Sequence, residues 1–198
     1  MVMASPAPTP QCQRLVRYNV AATLDGFIAS VDGSTDWIVE DPAIDFDALH
    51  AQFSTFIMGR KTYEAMLKYG NPLAGRPQEA VIVVSSTMKP EDHPAITIEA
   101  GDPRRRLREL KEGNGKDIWV MGGGQLVGPL LEAGLVDTIE VAIMPVVIGE
   151  GAPLLARLGH EAKGGYKLSL VEATTMESSG ILMTRYKVLP RASGSEST

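Results

Sequence analysis

The chain has 198 residues, 44% hydrophobic and 22% charged, which suits one globular domain large enough to bury its own core. Its single cysteine, Cys12, excludes an intrachain disulfide framework and a cysteine-cluster metal site; His93 and His160 stand in loops without metal-ligand spacing, so no metal is expected. Nineteen basic against 24 acidic residues, a net charge of −5, argue against nucleic-acid binding, and no apolar run approaches the ~20 residues that cross a bilayer.

Residues 1–13 carry three prolines and no periodic apolar pattern. Lacking the basic region and apolar core of a signal peptide, they read as a flexible tail on a cytoplasmic protein. Residues 190–198 are small and polar and read as a second tail. The domain therefore spans 14–189, with no internal repeat. Strands are predicted at 15–23, 55–58, 80–85, 95–98, 117–121, 138–147, 166–175 and 181–189. Runs such as Val81-Ile82-Val83-Val84 are continuous and β-branched, as in strands buried on both faces. Helices are predicted at 44–53, 62–68, 103–112 and 124–133, and Pro129 removes one internal hydrogen bond from the last. The alternation implies an α/β fold with a mixed, mainly parallel sheet flanked by helices. Only about five residues separate the final two strands, which makes them an antiparallel C-terminal hairpin.

Three strands end in chemistry that suits a phosphate. Ile118-Trp119-Val120-Met121 runs into Gly122-Gly123-Gly124 and then into the helix that opens with Gln125 and Leu126. Glycine lets backbone approach a ligand closely, and a helix N-terminus offers unpaired N–H groups to an anion. A tight turn without a ligand explains the same residues. Phe56-Ile57-Met58 ends in Gly59-Arg60-Lys61-Thr62, two cations and a hydroxyl at a helix start, where a solvated turn is the alternative. Val83-Val84 ends in Ser85-Ser86-Thr87, hydroxyls that also serve as turn formers. Parallel strands place all three ends on one sheet edge, where open α/β folds bind ligands.

Other residues carry two readings each. Asp25 is a polar group facing substrate or a turn residue before Gly26; Trp37 stacks on a planar substrate or is a peripheral core aromatic. Tyr63 lines the cleft or packs locally in the first turn of its helix. His50 reads as an ordinary, partly buried histidine. The run Arg104-Arg105-Arg106-Leu107-Arg108 reads as a solvated helix face. No nucleophile elbow supports a serine hydrolase, and Cys12 in the tail is a poor nucleophile.

Taken in order, Thr23-Leu24-Asp25-Gly26-Phe27-Ile28-Ala29, Met58-Gly59-Arg60-Lys61-Thr62-Tyr63, Val84-Ser85-Ser86, Met121-Gly122-Gly123-Gly124, Gly134-Leu135-Val136-Asp137 and Pro145-Val146-Val147-Ile148-Gly149-Glu150-Gly151 resemble the dihydrofolate-reductase-like fold. They resemble in particular the branch containing the C-terminal reductase domain of the bacterial riboflavin-biosynthesis deaminase-reductase. The resemblance covers 14–189. It implies NADPH as cofactor and hydride transfer to a pteridine-like or related heterocyclic small molecule. It places Arg60 and Ser85 by the adenosine 2′-phosphate, with Lys61 and Ser86 beside them. Gly59, Thr62 and the segment from Gly122 to Leu126 would hold the pyrophosphate, and Ala21 and Ile28 would border the nicotinamide. Gln125 stands where dihydrofolate reductases have Arg. The family's ring-binding carboxylate falls among Asp41, Asp45 and Asp47; a two-residue deletion selects Asp45 as the catalytic group, with Leu49 one turn later on the substrate side. On this reading Asp41 lies near the helix start and Asp47 faces solvent. Val141 replaces a hydroxyl that supports the pteridine, and Met121 stands where a riboflavin-pathway reductase has Glu. A ribosylaminopyrimidine reductase of that pathway and a catalytically inactive nucleotide-binding domain are the alternatives. The family also implies a homodimer, for which 141–148 offers an apolar face.

Overall fold

The computed structural model describes residues 13–156 and 165–191. Cys12, His160 and all but Gln13, Pro190 and Arg191 of the two expected tails lie outside them. Ten strands alternate with four helices: β1 Val16–Thr23, β2 Phe27–Ala29, α1 Phe46–His50, β3 Phe53–Gly59, α2 Arg60–Lys68, β4 Val81–Val84 and β5 Thr97–Glu99 come first. They are followed by α3 Pro103–Glu112, β6 Asp117–Gly122, α4 Gly124–Glu132, β7 Thr138–Met144, β8 Ala152–Pro153, β9 Leu168–Thr175 and β10 Leu182–Val188. The main sheet has the order β5-β4-β3-β6-β1-β7-β10-β9. Strands β5 to β7 of that order are parallel, and β10 and β9 close it as an antiparallel hairpin. The expected α/β class and C-terminal hairpin are thus present. The ribbon of β2 with β8 was not expected; strands of three and two residues leave no periodic signal.

Alternation along the strands sorts side chains onto two faces. Val16 and Tyr18, Ile57, Ile82, Ile118 and Val120 join Leu107 of α3 and Leu126, Val127, Leu130 and Leu131 of α4 in one cluster. Phe53, Phe56, Met58, Val81, Val83 and Trp119 face the other way, with Tyr63 of α2 and Leu73. Pro129 is exposed on the outer side of α4, so the helix runs through it.

Helix α1 is shorter than predicted at both ends: the Asp45 Oδ1 caps its start by accepting the Ala48 N–H at 2.8 Å, and Ala51 ends it two residues before β3. Conversely, α2 begins two residues early, directly on Gly59. Strand β7 stops at Met144 rather than at 147, ahead of Pro145. It lies between β1 and β10 with Val141 and Met144 buried, while Pro145 and Val147 beyond it are exposed.

A buried ion pair holds the centre of the sheet. Arg17 on β1 grips Glu140 on β7 through Nε and Nη2, both at 2.7 Å, and lies 4.5 Å over the Phe53 ring. Asn19 and Thr138 donate to the same carboxylate. Burial alone would push Glu140 up; the Arg17 hydrogen bonds and charge, with Thr138 and Asn19, outweigh it and hold the carboxyl below its ordinary range. A depressed native pKa contributes stability above the unfolded value, about 4.3 for Glu, and that contribution is lost as pH falls through the native value. Glu140→Gln leaves the buried Arg17 guanidinium with only Gln52 and the longer 3.4 Å pair to Asp117, and should cost about 3 kcal/mol at neutral pH, read by denaturant melts. The gap between variant and parent should shrink at acid pH, and a constant gap down to pH ~2 would disprove the linkage.

Candidate functional site

Parallel pairing of β3 with β6 sets Met58 opposite Gly122, so the strand ends that launch α2 and α4 lie side by side. A Cβ built on Gly59 would lie 4.0 Å from the Gly122 carbonyl oxygen. The two helices share a feature that α1 and α3 lack. Asp45 and Asp102 cap α1 and α3 with their side chains, whereas α2 and α4 start on Gly59 and Gly123 with no side-chain cap. Their first N–H groups and the positive ends of their dipoles are therefore offered to something other than the chain.

Ile28 of β2 and Thr62 of α2 close this corner. A Cβ on Gly123 would touch the Ile28 Cδ1 at 3.5 Å and the Thr62 Oγ1 at 3.8 Å, and one on Gly122 would meet the same atoms at 3.9 and 3.8 Å. Gly122 has φ +117°, a conformation that side-chain-bearing residues rarely adopt, and the Gly122–Gly123 peptide is cis. Four residues predicted to adjoin the cofactor, Ile28, Thr62, Gly122 and Gly123, thus converge on one cradle, with Gly59 beside it. The space is one that side chains at the two glycines would fill.

Other sequence-predicted residues sit elsewhere. Gly124 faces away from the cradle: a Cβ there would strike the Pro153 carbonyl at 2.5 Å and the Ala156 nitrogen at 2.8 Å. Its role is close packing against the segment after β8, which Tyr18 also ties down through its hydroxyl to the Leu154 carbonyl at 2.8 Å. Leu126 is buried in the core, while Gln125 is exposed at the helix start. Arg60 is exposed and paired with Glu64 at 2.8 Å, and Lys61 is exposed beside it. The Ser85 hydroxyl accepts the Thr87 and Met88 N–H groups of its own loop; Ser86 is exposed. Ala21 is half-buried near the carboxyl end of β1.

The substrate half needs the larger corrections. Asp45 is an exposed helix cap and does not face the core as expected. Asp41 lies not at the helix start but in the preceding loop, 4% exposed, where it accepts the Ser178 hydroxyl at 2.5 Å and the Ala43 N–H at 2.9 Å. The Ser178 and Ser179 hydroxyls, then the Ala43 N–H, hold its carboxyl below the usual range. Asp47 is exposed, as expected. Asp25 takes the turn reading: its carboxylate accepts from the Thr23 hydroxyl at 2.5 Å and from the Gly149 and Ile148 N–H groups, which hold its pKa down. Tyr63 is 8% exposed among core residues, edge-on to His93, so it packs locally. Leu49 packs against the Phe53–Trp119 cluster, and the His50 ring lies 5.2 Å from that of Trp119. Trp37 is half-buried, and its Nε1 is shielded from solvent without a hydrogen-bond partner. The contacts that sequence reasoning missed, Asp41 with Ser178 and Tyr69 with Asp36, join segments far apart in the chain and leave no local pattern. Among the described residues no cluster of His, Cys, Asp or Glu is arranged to hold a metal, and no helix is long and apolar enough to cross a membrane.

The molecule has relatives in sequence and in fold. The Bacillus subtilis (strain 168) protein YyaP, itself uncharacterized, is 33% identical over 184 residues, which cover 88% of this chain and 95% of the relative. The riboflavin biosynthesis protein RibD of Corynebacterium ammoniagenes is 28% identical over 167 residues, 77% of this chain but only 50% of RibD. Among solved structures, a putative riboflavin biosynthesis protein from Shewanella sp. PV-4 superposes with a TM-score of 0.71 at 22% identity, covering 90% of this chain and 99% of that one. A diaminohydroxyphosphoribosylaminopyrimidine deaminase/5-amino-6-(5-phosphoribosylamino)uracil reductase from Thermotoga maritima gives 0.65 at 19% identity, over 89% of this chain and 57% of that one. With the family model for the RibD C-terminal domain matching residues 14–182, the chain belongs to the RibD C-terminal domain family.

Proposed function

We propose that the chain is an NADPH-dependent reductase acting on a heterocycle of the riboflavin-precursor type, a pyrimidine carrying amino substituents, or a related pteridine-like ring. The observation that carries this reading is the pair of helix N-termini, α2 and α4, that meet without side-chain caps around a glycine cradle. Such a cradle fits a pyrophosphate: Gly59 to Thr62 and Gly122 to Gln125 would hold it through backbone N–H groups, the Thr62 hydroxyl and close approach. Bound there, the cofactor supplies a hydride. Ile28 and Ala21 give an apolar border that keeps water from the nicotinamide side. The α1 carboxylates are exposed, Asp45 as a cap, so we assign the accompanying proton to solvent rather than to either of them.

Arg60 remains the group suited to the 2′-phosphate. Its exposed i,i+4 pair with Glu64 contributes only about 0.3–0.5 kcal/mol, so a phosphate displaces Glu64 at small cost and gains a charge-assisted contact of about 1.5–3 kcal/mol. NADPH should therefore bind roughly ten- to a hundredfold tighter than NADH by titration calorimetry, and Arg60→Ala should erase most of the difference. Equal dissociation constants for the two cofactors in the parent protein would sink the assignment.

The neighbouring glycines should respond differently. Gly123→Ala makes only ordinary van der Waals contacts and should leave the melting temperature nearly unchanged, yet weaken NADPH by about tenfold or more as it fills the cradle. Gly124→Ala meets backbone and should instead destabilise the fold by about 1–3 kcal/mol. Unaltered NADPH affinity in a well-folded Gly123→Ala protein would place the pyrophosphate elsewhere.

We also infer a homodimer that covers β9. Every residue of this edge strand is exposed, with Leu170 and Val171 at 56% and 58%. An antiparallel edge is self-complementary about a twofold axis, so a second copy pairs its open N–H and C=O row. Sedimentation should give about twice the 21.2 kDa of one chain, and Leu170→Glu should shift it to the single-chain mass. A parent protein that sediments as one chain at micromolar concentration would remove the inference.

A further inference from the structure

Between β2 and α1 the chain runs for sixteen residues, 30–45, without a helix or strand, and two polar contacts fasten it. At one point the Tyr69 hydroxyl, just past the end of α2, donates to Asp36 at 2.7 Å. At the other, the Ser178 hydroxyl in the turn between β9 and β10 donates to Asp41. Topology says what lies between these fastenings. Helix α2 follows β3 and packs on the Phe56–Met58 face of the sheet. The 176–180 turn lies beside the carboxyl end of β7, since Leu182 pairs with Ile143 and a Cβ on Gly180 would touch Pro145 at 3.7 Å. In the sheet order, β6 and β1 stand between β3 and β7. Residues 37–40 therefore run between an anchor at the end of α2 and one beside the carboxyl end of β7, two strands apart in the sheet order.

The chemistry of the fastening is unusual for an architectural contact. Asp41 is 4% exposed, and none of the ion pairs among the described residues includes it; the Ser178 and Ser179 hydroxyls and the Ala43 and Ser179 N–H groups satisfy it. A buried carboxylate is costly to keep unless its hydrogen bonds are all in place, so its geometry is sharply set. Trp37, in the same segment, is half-buried, with its Nε1 shielded from solvent and without a hydrogen-bond partner. We propose that Asp41 is a positioning residue: through Ser178 and Ser179 it holds residues 37–40, Trp37 above all, as the wall of the substrate half of the cleft. The wall orients a planar heterocycle by stacking, while the pyrophosphate cradle remains independent of it. This rests on the reductase reading for its substrate but not for its geometry.

The test uses the full chain with Asp41→Asn and Ser178→Ala, the second a mild change at an exposed side of the contact, both assayed well below their melting temperatures. The protein has two tryptophans, and Trp119 is 7% exposed with its Nε1 bonded to the Asn19 carbonyl, so acrylamide quenching reports chiefly on Trp37. Both variants should raise the quenching constant about twofold, and should raise KM for 5-amino-6-(5-phosphoribosylamino)uracil by about tenfold with a smaller change in kcat. NADPH affinity should stay within about twofold of the parent. Asp41→Glu, which restores the charge, should recover part of the KM. Unchanged quenching in both variants overturns the proposal, as does an equal loss of NADPH affinity. If the parent protein turns over no such pyrimidine, the reductase reading fails on its own, and the quenching result still decides the role of Asp41.

Discussion

The register of β3 against β6 is the constraint on which the rest of the site depends. Parallel pairing with Met58 opposite Gly122 ends two strands at the same height, and each then turns at once into a helix. Two helix N-termini in contact would repel one another through their dipoles and leave N–H groups unpaired. A protein that needed only stability would cap them, as this one caps α1 with Asp45 and α3 with Asp102. Leaving both uncapped, on glycine, concentrates positive potential in one corner.

The side chains of the molecule are arranged to make this backbone site possible. Several carboxylates serve the frame. Glu140 neutralises Arg17 within the sheet, Asp137 takes the Val16 N–H and the Lys111 ammonium, and Asp25 ties the β1–β2 turn to residues 148 and 149. Tyr18 and Gly124 pin the segment after β8 from two sides, so the loop that backs the cradle is fixed by a hydroxyl and by the absence of a Cβ. The cradle itself contains no acidic side chain, which suits a pyrophosphate electrostatically.

Legibility in the sequence followed the range of the interactions. Strands such as Val81–Val84 and the glycine-to-helix transitions at Gly59 and Gly123 are local events, and the composition of each run announces them. The N-terminal boundary of α1 had a signal as well: Asp45 precedes Phe46 as a helix cap should, and weighting that over a family carboxylate would have placed it in solvent. Ser85 likewise followed the ordinary turn habit of serine. The fastening of Asp41 was out of reach, because its partner lies 137 residues further on and a lone Ser-Ser pair in a hairpin turn has no distinguishing pattern. Tyr63 was ambiguous for a different reason, since a first-turn aromatic points to core or cleft according to a packing that only the assembled sheet decides.

Crystallisation with NADPH tests the central claim most directly. The account expects the pyrophosphate between residues 59–62 and 122–125, within hydrogen-bond distance of backbone N–H groups from both helix starts, with the nicotinamide running toward Ile28. A cofactor seated with its pyrophosphate away from either N-terminus would contradict it, and so would a crystal soaked at saturating NADPH in which that corner holds only water.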